Sequence, residues 1–347
     1  MRPHKPQLFS LIVLSACISC TPKTNLSVQS GDWAFTNELN GPARSEAVSF
    51  VIGSNVYIGT GWNGLTTRFS DFWKYDGVDH SWIQIDNMPG VARSSAVAFS
   101  IGQKAYVGTG FDGRNILGDF YELDAAANSW TKKSDFPGGS RYEAVAFSIG
   151  NLGYAGTGFD GNTALKDFYQ YDPASDAWTE IGFSGNKRYG AVVFTYQNAA
   201  YLVTGVNSAG LMQTDFWKFD PAAQSQNWTQ LRKITDLTNE TYDDGYATIV
   251  RWNGAAFVIP PYAYLSTGEN NGYNSTTWQY DFSTDIWTAK TPFEGTAITG
   301  TVGFSLNSTS GGGGFISTGR SAPGQAGSSD FVWEFFPNQT ANPNNNN

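Results

Sequence analysis

The chain has 347 residues, of which 40% are hydrophobic and 15% aromatic, and this is enough apolar material for a large packed core. Only 15% of the residues are charged and the net charge is −9, so no basic excess points to nucleic acid or to an anionic membrane surface. Both cysteines stand near the N-terminus, and the chain has two histidines. These counts exclude a disulfide framework, a thiol nucleophile and a His- or Cys-type zinc site in the rest of the chain.

The first residues have the pattern of an export signal. Arg2 and Lys5 precede an apolar run over residues 8–14, which is too short to span a bilayer. Leu-Ser-Ala-Cys then follows at 14–17 and resembles the lipobox of bacterial lipoproteins. The resemblance implies that Cys17 is acylated and becomes the mature N-terminus. Cys20 is a second candidate for lipidation, and an ordinary secretory signal is the alternative.

A pattern of about fifty residues recurs through the rest of the chain, which is the signature of a repeat architecture. Each copy has an apolar first strand, a second strand that ends in Thr-Gly or a relaxed form of it, and an Asp before an aromatic third strand. A tryptophan marks the fourth strand, and the tryptophans are Trp33, Trp82, Trp130, Trp178, Trp228 and Trp287. Four antiparallel strands with two apolar faces must stack on neighbours around an axis. The predicted fold class is therefore all-β, a six-bladed β-propeller.

The order of these motifs resembles the kelch repeat, with paired small residues after the second strand, an aromatic residue in the third and a Trp in the fourth. The resemblance covers roughly residues 32–337 and implies a kelch-type propeller. It departs at the Gly-Gly doublet, which is Thr-Gly here. The last copy stops at Pro337 without its Trp, so Trp33 and the residues after it are predicted to supply the outer strand of the sixth blade. This strand would close the ring and remove an exposed sheet edge.

The fifth copy allows two strand registers. Asn253-Gly254 could form a hairpin turn, or residues 251–268 could align without a gap onto residues 44–61. We favour the second register, which leaves an insertion over residues 231–243.

The sequence predicts four parts of the chain and a cellular location. The parts are a lipoprotein signal peptide over 1–16, a flexible tether over 17–31, the propeller over 32–337 and a disordered Asn-rich tail over 338–347. The leader predicts a bacterial cell envelope protein that is lipid-anchored to the outer membrane and faces the periplasm.

An arginine recurs just before the first strand of five copies, and the sixth copy has Ile298 instead. The arginines are Arg44, Arg93, Arg141, Arg188 and, in the favoured register, Arg251. The start of strand one and the loop after strand two share one face of a propeller, so we predict a ring of arginines at its mouth that binds carboxylates. In kelch domains that bind acidic peptides, arginines near this mouth contact the ligand. The alternative is that each arginine serves the scaffold, paired with an acidic residue or stacked on an aromatic of the adjacent blade.

The loops of the same face supply further candidates for the lining of the mouth. These are Trp62, Phe111, Phe159, Glu269, Tyr273 and Arg320, and the insertion is expected to break the symmetry here. We interpret Asp112-Gly113 and the Asp before each third strand as turn or loop-capping residues.

The predicted function is a binding module for an acidic peptide, a protein or an anionic glycan, with no cofactor and no metal. Galactose oxidase has a kelch-type domain with copper held by His and Tyr, but the propeller here has only His80, so that copper site is excluded. The alternative is an isomerase. Bacterial six-bladed kelch proteins similar to sialic acid mutarotase exchange the anomers of N-acetylneuraminate, which would need an acid–base pair such as Glu46 or Glu143 beside the arginines.

Overall fold

A computed structural model describes residues 29–76, 81–223, 227–306, 312–321 and 327–346. These residues form six four-stranded antiparallel sheets, which confirms the predicted six-bladed propeller. The described residues also include two short 3₁₀ helices, Tyr246–Thr248 and Pro343–Asn345. No helix in the described ranges has the length and apolar character that a membrane crossing requires.

Each of the first three blades uses four consecutive strands, numbered from the axis outwards. Blade 1 contains β2 (Val48–Ile52), β3 (Asn55–Gly59), β4 (Phe72–Asp76) and β5 (Ser81–Ile85). Blade 2 contains β6 (Val97–Ile101), β7 (Lys104–Gly108), β8 (Phe120–Asp124) and β9 (Ser129–Lys133). Blade 3 contains β10 (Val145–Ile149), β11 (Leu152–Gly156), β12 (Phe168–Asp172) and β13 (Ala177–Ile181).

The next two blades repeat the arrangement and the sixth completes it with a strand from the N-terminus. Blade 4 contains β14 (Val192–Tyr196), β15 (Ala199–Val203), β16 (Trp217–Phe219) and β17 (Trp228–Gln230). Blade 5 contains β18 (Ala255–Ile259), β19 (Tyr262–Ser266), β20 (Thr277–Asp281) and β21 (Ile286–Lys290). Blade 6 contains β22 (Val302–Ser305), β23 (Gly314–Ser317), β24 (Phe331–Phe336) and β1 (Asp32–Glu38).

The ring closes in the way that we predicted from the absence of a tryptophan in the last copy. Strand β1 pairs antiparallel with β24, and Trp33 lies opposite Phe335. Trp33 is fully buried, and its ring packs edge-on against Phe257 of blade 5 and against Phe293. One side chain from the start of the propeller therefore joins its last two blades.

The core consists of apolar layers between neighbouring blades. The six clusters of buried side chains each join two adjacent blades. A stacked aromatic pair across the two innermost strands recurs in every blade, as in Phe50 and Tyr57 at 5.0 Å. Phe257 and Tyr264 form this pair in blade 5, with the turn at Pro260-Pro261, which confirms the favoured register. The hairpin at Asn253-Gly254 was the wrong alternative.

Residues 338–346 of the Asn-rich tail lie against the propeller. Thr340 pairs with Gly31, and the Asn342 backbone N–H and the Asn345 Nδ2 donate to the two carboxylate oxygens of Asp32 at 2.6 and 2.8 Å. Asp32 is fully buried, so its carboxylate requires donors. The composition of the tail offers few apolar groups to bury. Its backbone and side-chain amides instead donate hydrogen bonds to the buried carboxylate of Asp32.

Several predictions fall on residues outside the described ranges. These are the signal peptide, Cys17, Cys20, most of the tether and His80.

Candidate functional site

The arginine before each first strand is buried inside its own blade. In blade 1, Arg44 is fully buried, and its Nη1 and Nη2 donate to the two carboxylate oxygens of Asp71 at 2.7 and 2.8 Å. Nη1 also donates to the Thr60 carbonyl at 2.9 Å. Asp71 comes directly before the third strand, and Thr60 belongs to the Thr-Gly pair after the second. One guanidinium therefore joins three segments of the blade by charge-assisted hydrogen bonds.

We call this arrangement the arginine clamp, and it recurs in the next three blades. It joins Arg93 to Asp119, Arg141 to Asp167 and Arg188 to Asp215. Burial alone would raise the pKa of Asp71 and Asp119, but the hydrogen bonds and the charge of their arginines outweigh it and hold both pKa values below the ordinary value. The clamps therefore keep these carboxylates ionised in the folded protein.

This geometry corrects the predicted ring of ligand-binding arginines. Arg44, Arg93, Arg141, Arg188 and Arg251 each have 0% exposure, and their guanidinium groups point into the blades and not into the mouth. The scaffold alternative therefore describes them, since four of the arginines pair with an Asp of their own blade and Arg251 donates to backbone carbonyls. The Asp before the third strand is likewise the partner of the arginine in four blades, not only a loop cap.

Blades 5 and 6 depart from the clamp. Arg251 has no carboxylate partner among the described residues. It donates instead to the carbonyls of Ile249, Thr267, Thr276 and Thr248 and to the Thr276 hydroxyl. Burial lowers its pKa to about 9, so it remains protonated at neutral pH. Ile298 replaces the arginine of blade 6 with an apolar side chain that is also buried.

Two residues beyond each clamp position, the backbone forms a closed ring around the axis. The six ring residues are Glu46, Ser95, Glu143, Gly190, Asn253 and Gly300, and all have φ between 51° and 63°. The N–H of each ring residue donates to the carbonyl of the ring residue in the preceding blade, at 2.7 to 3.0 Å. This left-handed conformation is unusual for residues other than glycine, and it directs four side chains towards the axis.

The ring residues, whose side chains we call the floor, line a cavity of about 150 Å³ together with the small residues that follow them, such as Ala47 and Ala144. The cavity lies at the mouth, the end of the axis where the first strands begin. Ser95 Oγ donates to Glu46 Oε2 at 2.8 Å, and Asn253 Nδ2 donates to Glu143 Oε1 at 3.1 Å. The second hydrogen bond crosses the position of Gly190, where a Cβ atom would lie 2.8 Å from Asn253 Oδ1. Glycine at this position therefore gives Asn253 the space to reach Glu143.

Glu143 is the most perturbed acid of the floor. Its Oε2 is shielded from solvent and has no hydrogen-bond partner among the described residues. Burial, and next the negative charge of Glu46, raise the pKa of Glu143 to about 8. The floor thus combines one proton-holding carboxyl with a second carboxylate, Glu46, which is hydrogen bonded to Ser95.

Half-buried aromatic rings form an arc along the wall of the mouth. Phe111, Tyr142, Phe159, Tyr189 and Trp252 follow one another with ring centroids 5.0 to 6.0 Å apart. The backbone positions them, because the residue after each clamp position pairs with the residue after the Thr-Gly motif, as Tyr142 does with Phe159. The arc spans blades 2 to 5, and Tyr142, Tyr189 and Trp252 each come directly before a ring residue in the chain.

A charged group completes the wall at blades 5 and 6. Arg320 Nη1 donates to the Tyr273 hydroxyl at 3.1 Å, and Nη2 lies 3.5 Å from Glu269 Oε1. Arg320 Nε lies 3.9 Å from Glu46 Oε1, which connects this group to the floor. The mouth is therefore aromatic on one side and charged on the other.

The structure brings together the predicted mouth residues and adds others that sequence reasoning missed. Trp62, Phe111, Phe159, Glu269 and Arg320 occupy equivalent pairing positions around the mouth. The missed residues are Arg68, Ser95, Tyr142, Tyr189, Trp252 and Asn253. A signal was present for most of them, since the two positions after each clamp residue vary between copies while their neighbours repeat. The insertion does not line the floor, and its Ile234 packs in the apolar layer between blades 4 and 5.

Comparisons with known proteins agree with this architecture. The family profile described as "KLHDC2/KLHL20/DRC7 Kelch-repeats domain" matches residues 26–205, which is more than half of the chain. The chain belongs to the kelch-repeat family. The solved structure of YjhT is similar to this kelch protein with a TM-score of 0.70 and 16% identity, covering 85% of this chain and 94% of that one, and it shows the fold alone. A search of curated proteins found no significant match.

The departure of this kelch protein from the Gly-Gly doublet has a structural counterpart. The Thr of each Thr-Gly pair has a positive φ, such as 59° at Thr157, a conformation that is strained for a β-branched residue. This conformation turns the Thr157 carbonyl towards Arg141, whose Nη1 donates to it at 2.9 Å. The clamp thus stabilises a backbone shape that the Gly-Gly doublet would adopt without strain.

Replacing Arg141 by Met should destabilise the protein by roughly 3–5 kcal/mol, because Asp167 would keep a charge in the blade without its partner. The double variant Arg141→Met/Asp167→Leu should be more stable than the single variant, since no unpaired charge remains. Urea unfolding measures both, with the exposed Arg114→Met as the matched control. Unchanged stability in the single variant would contradict a structural role for the arginine.

Stability should fall as pH rises from about 4.3 to about 8, because Glu143 holds a proton in the folded state that the unfolded chain releases. Glu143→Gln should flatten this dependence, since Gln keeps an oxygen for Asn253 but does not ionise. Urea unfolding at several pH values across this window tests the effect, with the exposed Glu180→Gln as control. Equal pH slopes in the wild type and in Glu143→Gln would show that the floor carboxyl is not the cause.

Proposed function

We propose that this kelch propeller is a binding module whose ligand is a glycan held in the central mouth. The observation that carries the proposal is the arc of aromatic rings next to a floor of carboxyl, hydroxyl and amide groups. Sugar rings have apolar C–H faces and hydroxyl edges. The aromatic side chains can pack against the C–H faces of a sugar. Glu46, Glu143 and Asn253 can form hydrogen bonds with its hydroxyl groups.

The floor also influences which ligands fit. Glu46 and Glu143 line the cavity and the clamp arginines are withdrawn from it, so an acidic peptide tip would meet carboxyl groups at the floor. Hydroxyl groups suit the floor better, because they can donate to a carboxylate and accept from a protonated carboxyl. This supports a glycan over the acidic peptide that the arginine ring predicted.

A glycan array followed by calorimetry tests this role. We expect Tyr189→Ala to weaken the selected glycan at least about tenfold, or about 1.4 kcal/mol, through loss of its stacking surface between Phe159 and Trp252. The matched control is Tyr196→Ala, which removes a half-buried tyrosine stacked on Phe282 outside the mouth. Equal weakening by both variants, or no glycan bound by the wild type, would contradict the proposal.

An isomerase that exchanges sugar anomers is the second candidate, and the unequal carboxyls of the floor favour it. One carboxyl would take the proton of the anomeric hydroxyl while the other protonates the ring oxygen, so that the ring C–O bond opens and closes again on the other face. Glu143, with its raised pKa, suits the acid and Glu46 the base. NMR of N-acetylneuraminate anomers tests this. Acceleration that Glu143→Gln abolishes supports an isomerase, and no acceleration by the wild type at micromolar protein excludes this reaction.

Export and lipidation at Cys17 belong to the proposed role at the cell envelope. The support is the basic start, the apolar run and the Leu-Ser-Ala-Cys sequence at 14–17. Metabolic labelling with an azide-bearing fatty acid should mark the wild type and Cys20→Ala but not Cys17→Ala, and the label should fractionate with the outer membrane. Labelling of Cys17→Ala would assign lipidation to another residue.

A further inference from the structure

Arg68 differs from the clamp arginines and from Arg320 in its lack of polar partners. Arg68 is half-buried, and its side chain forms no hydrogen bond or ion pair with the residues that the structure describes. Its Nε is shielded from solvent and unpartnered. The guanidinium carbon lies 4.8 Å from the ring centroid of Phe111 and 5.7 Å from that of Trp62. The aromatic faces stabilise the cation but leave its N–H groups unused.

The nearest acids are engaged elsewhere. Asp112 Oδ1 accepts from the backbone N–H groups of Arg114 and Asn115, and Oδ2 accepts from the Asn115 side chain. Glu46 accepts from Ser95 and lies near Arg320. Both acids attract Arg68 at longer range, yet burial lowers the pKa of the guanidinium. The cation is thus partly desolvated without an ion pair.

The surrounding backbone holds Arg68 in place. Its backbone pairs with Trp62, which itself pairs with Ser45 next to the floor. From the neighbouring blade, the turn at Gly113 closes over the guanidinium, and a Cβ atom on Gly113 would lie 2.5 Å from Arg68 Nη1. Glycine at this turn therefore makes room for the guanidinium, which gives the Asp112-Gly113 turn a second role.

We infer that Arg68 is the anion subsite of the mouth and binds a monoanionic group, a carboxylate or a sulfate ester, on the glycan. The inference rests on the proposed glycan-binding function and specifies its ligand. A guanidinium with unused N–H groups binds such oxygens by charge-assisted hydrogen bonds. A single negative charge suits the subsite better than a phosphate monoester, because Glu46 and Glu269 already lie in the mouth.

Matched sets of neutral, carboxylated and sulfated glycans on an array test the subsite. The wild type should prefer acidic over neutral members at least about tenfold at low salt, and the preference should shrink as salt is raised. Arg68→Met should reduce this preference to less than about twofold and leave neutral glycans bound, while Arg68→Lys should be intermediate. A comparison of the binding of carboxylated and sulfated glycans shows which of the two anions the subsite prefers.

The exposed Arg114→Met is the matched control, because it removes the same charge from the loop that covers Arg68. An acidic preference that survives Arg68→Met, or that is absent from the wild type, overturns the inference and leaves glycan binding itself intact. Titration with glucuronate, followed by tryptophan fluorescence, is an independent measurement if no arrayed glycan binds. Saturation at millimolar glucuronate that Arg68→Met abolishes supports the subsite, and its absence in the wild type refutes it.

Discussion

In each of the first four blades, a buried arginine connects three separate segments of the chain by hydrogen bonds. Its guanidinium contacts the Thr-Gly carbonyl, the Asp before the third strand and the chain that enters the first strand. In Arg44 all of these contacts are made by one side chain with no exposed surface. In these four blades the clamp fixes the positions of the three segments relative to one another at the mouth face. The residues that line the mouth in these blades follow directly after the clamp arginine in the chain.

The closed backbone ring follows two residues after the clamp. The ring residue of every blade has the left-handed conformation and donates one hydrogen bond to the preceding blade, including Gly300 of blade 6, where Ile298 replaces the arginine. The six ring positions use only backbone groups for closure, so their side chains are free to differ. Two are glycine, and the other four give the floor its carboxyl, hydroxyl and amide groups. In every repeat, the buried residue at the clamp position and the ring residue that lines the mouth are therefore only two positions apart.

The electrostatics of the mouth reflect the same separation. Cations of the clamp are satisfied inside the blades and do not influence a ligand directly, whereas Arg320 and Arg68 face the mouth region with partial or no pairing. Carboxyl groups dominate the floor, where burial and the negative charge of Glu46 raise the pKa of Glu143. Aromatic rings supply the opposite wall. A ligand that combines apolar faces, hydroxyl edges and one negative charge matches all three surfaces.

The sequence by itself determined the number of blades and the closing strand, because the apolar periodicity repeats six times and Trp33 supplies the tryptophan that the last copy lacks. It left two registers for the fifth copy, and the pairing of Phe257 with Tyr264 decided between them. The sequence also determined that the arginines, the Thr-Gly pairs and the aspartates recur together. Only the tertiary structure decided that Arg141 meets Asp167 inside the blade while Glu143 points to the axis. The direction of a side chain depends on local backbone dihedral angles, here a positive φ at a glutamate, and residue spacing does not record them. The same reason hid Arg68, since its lack of a partner is a property of its surroundings.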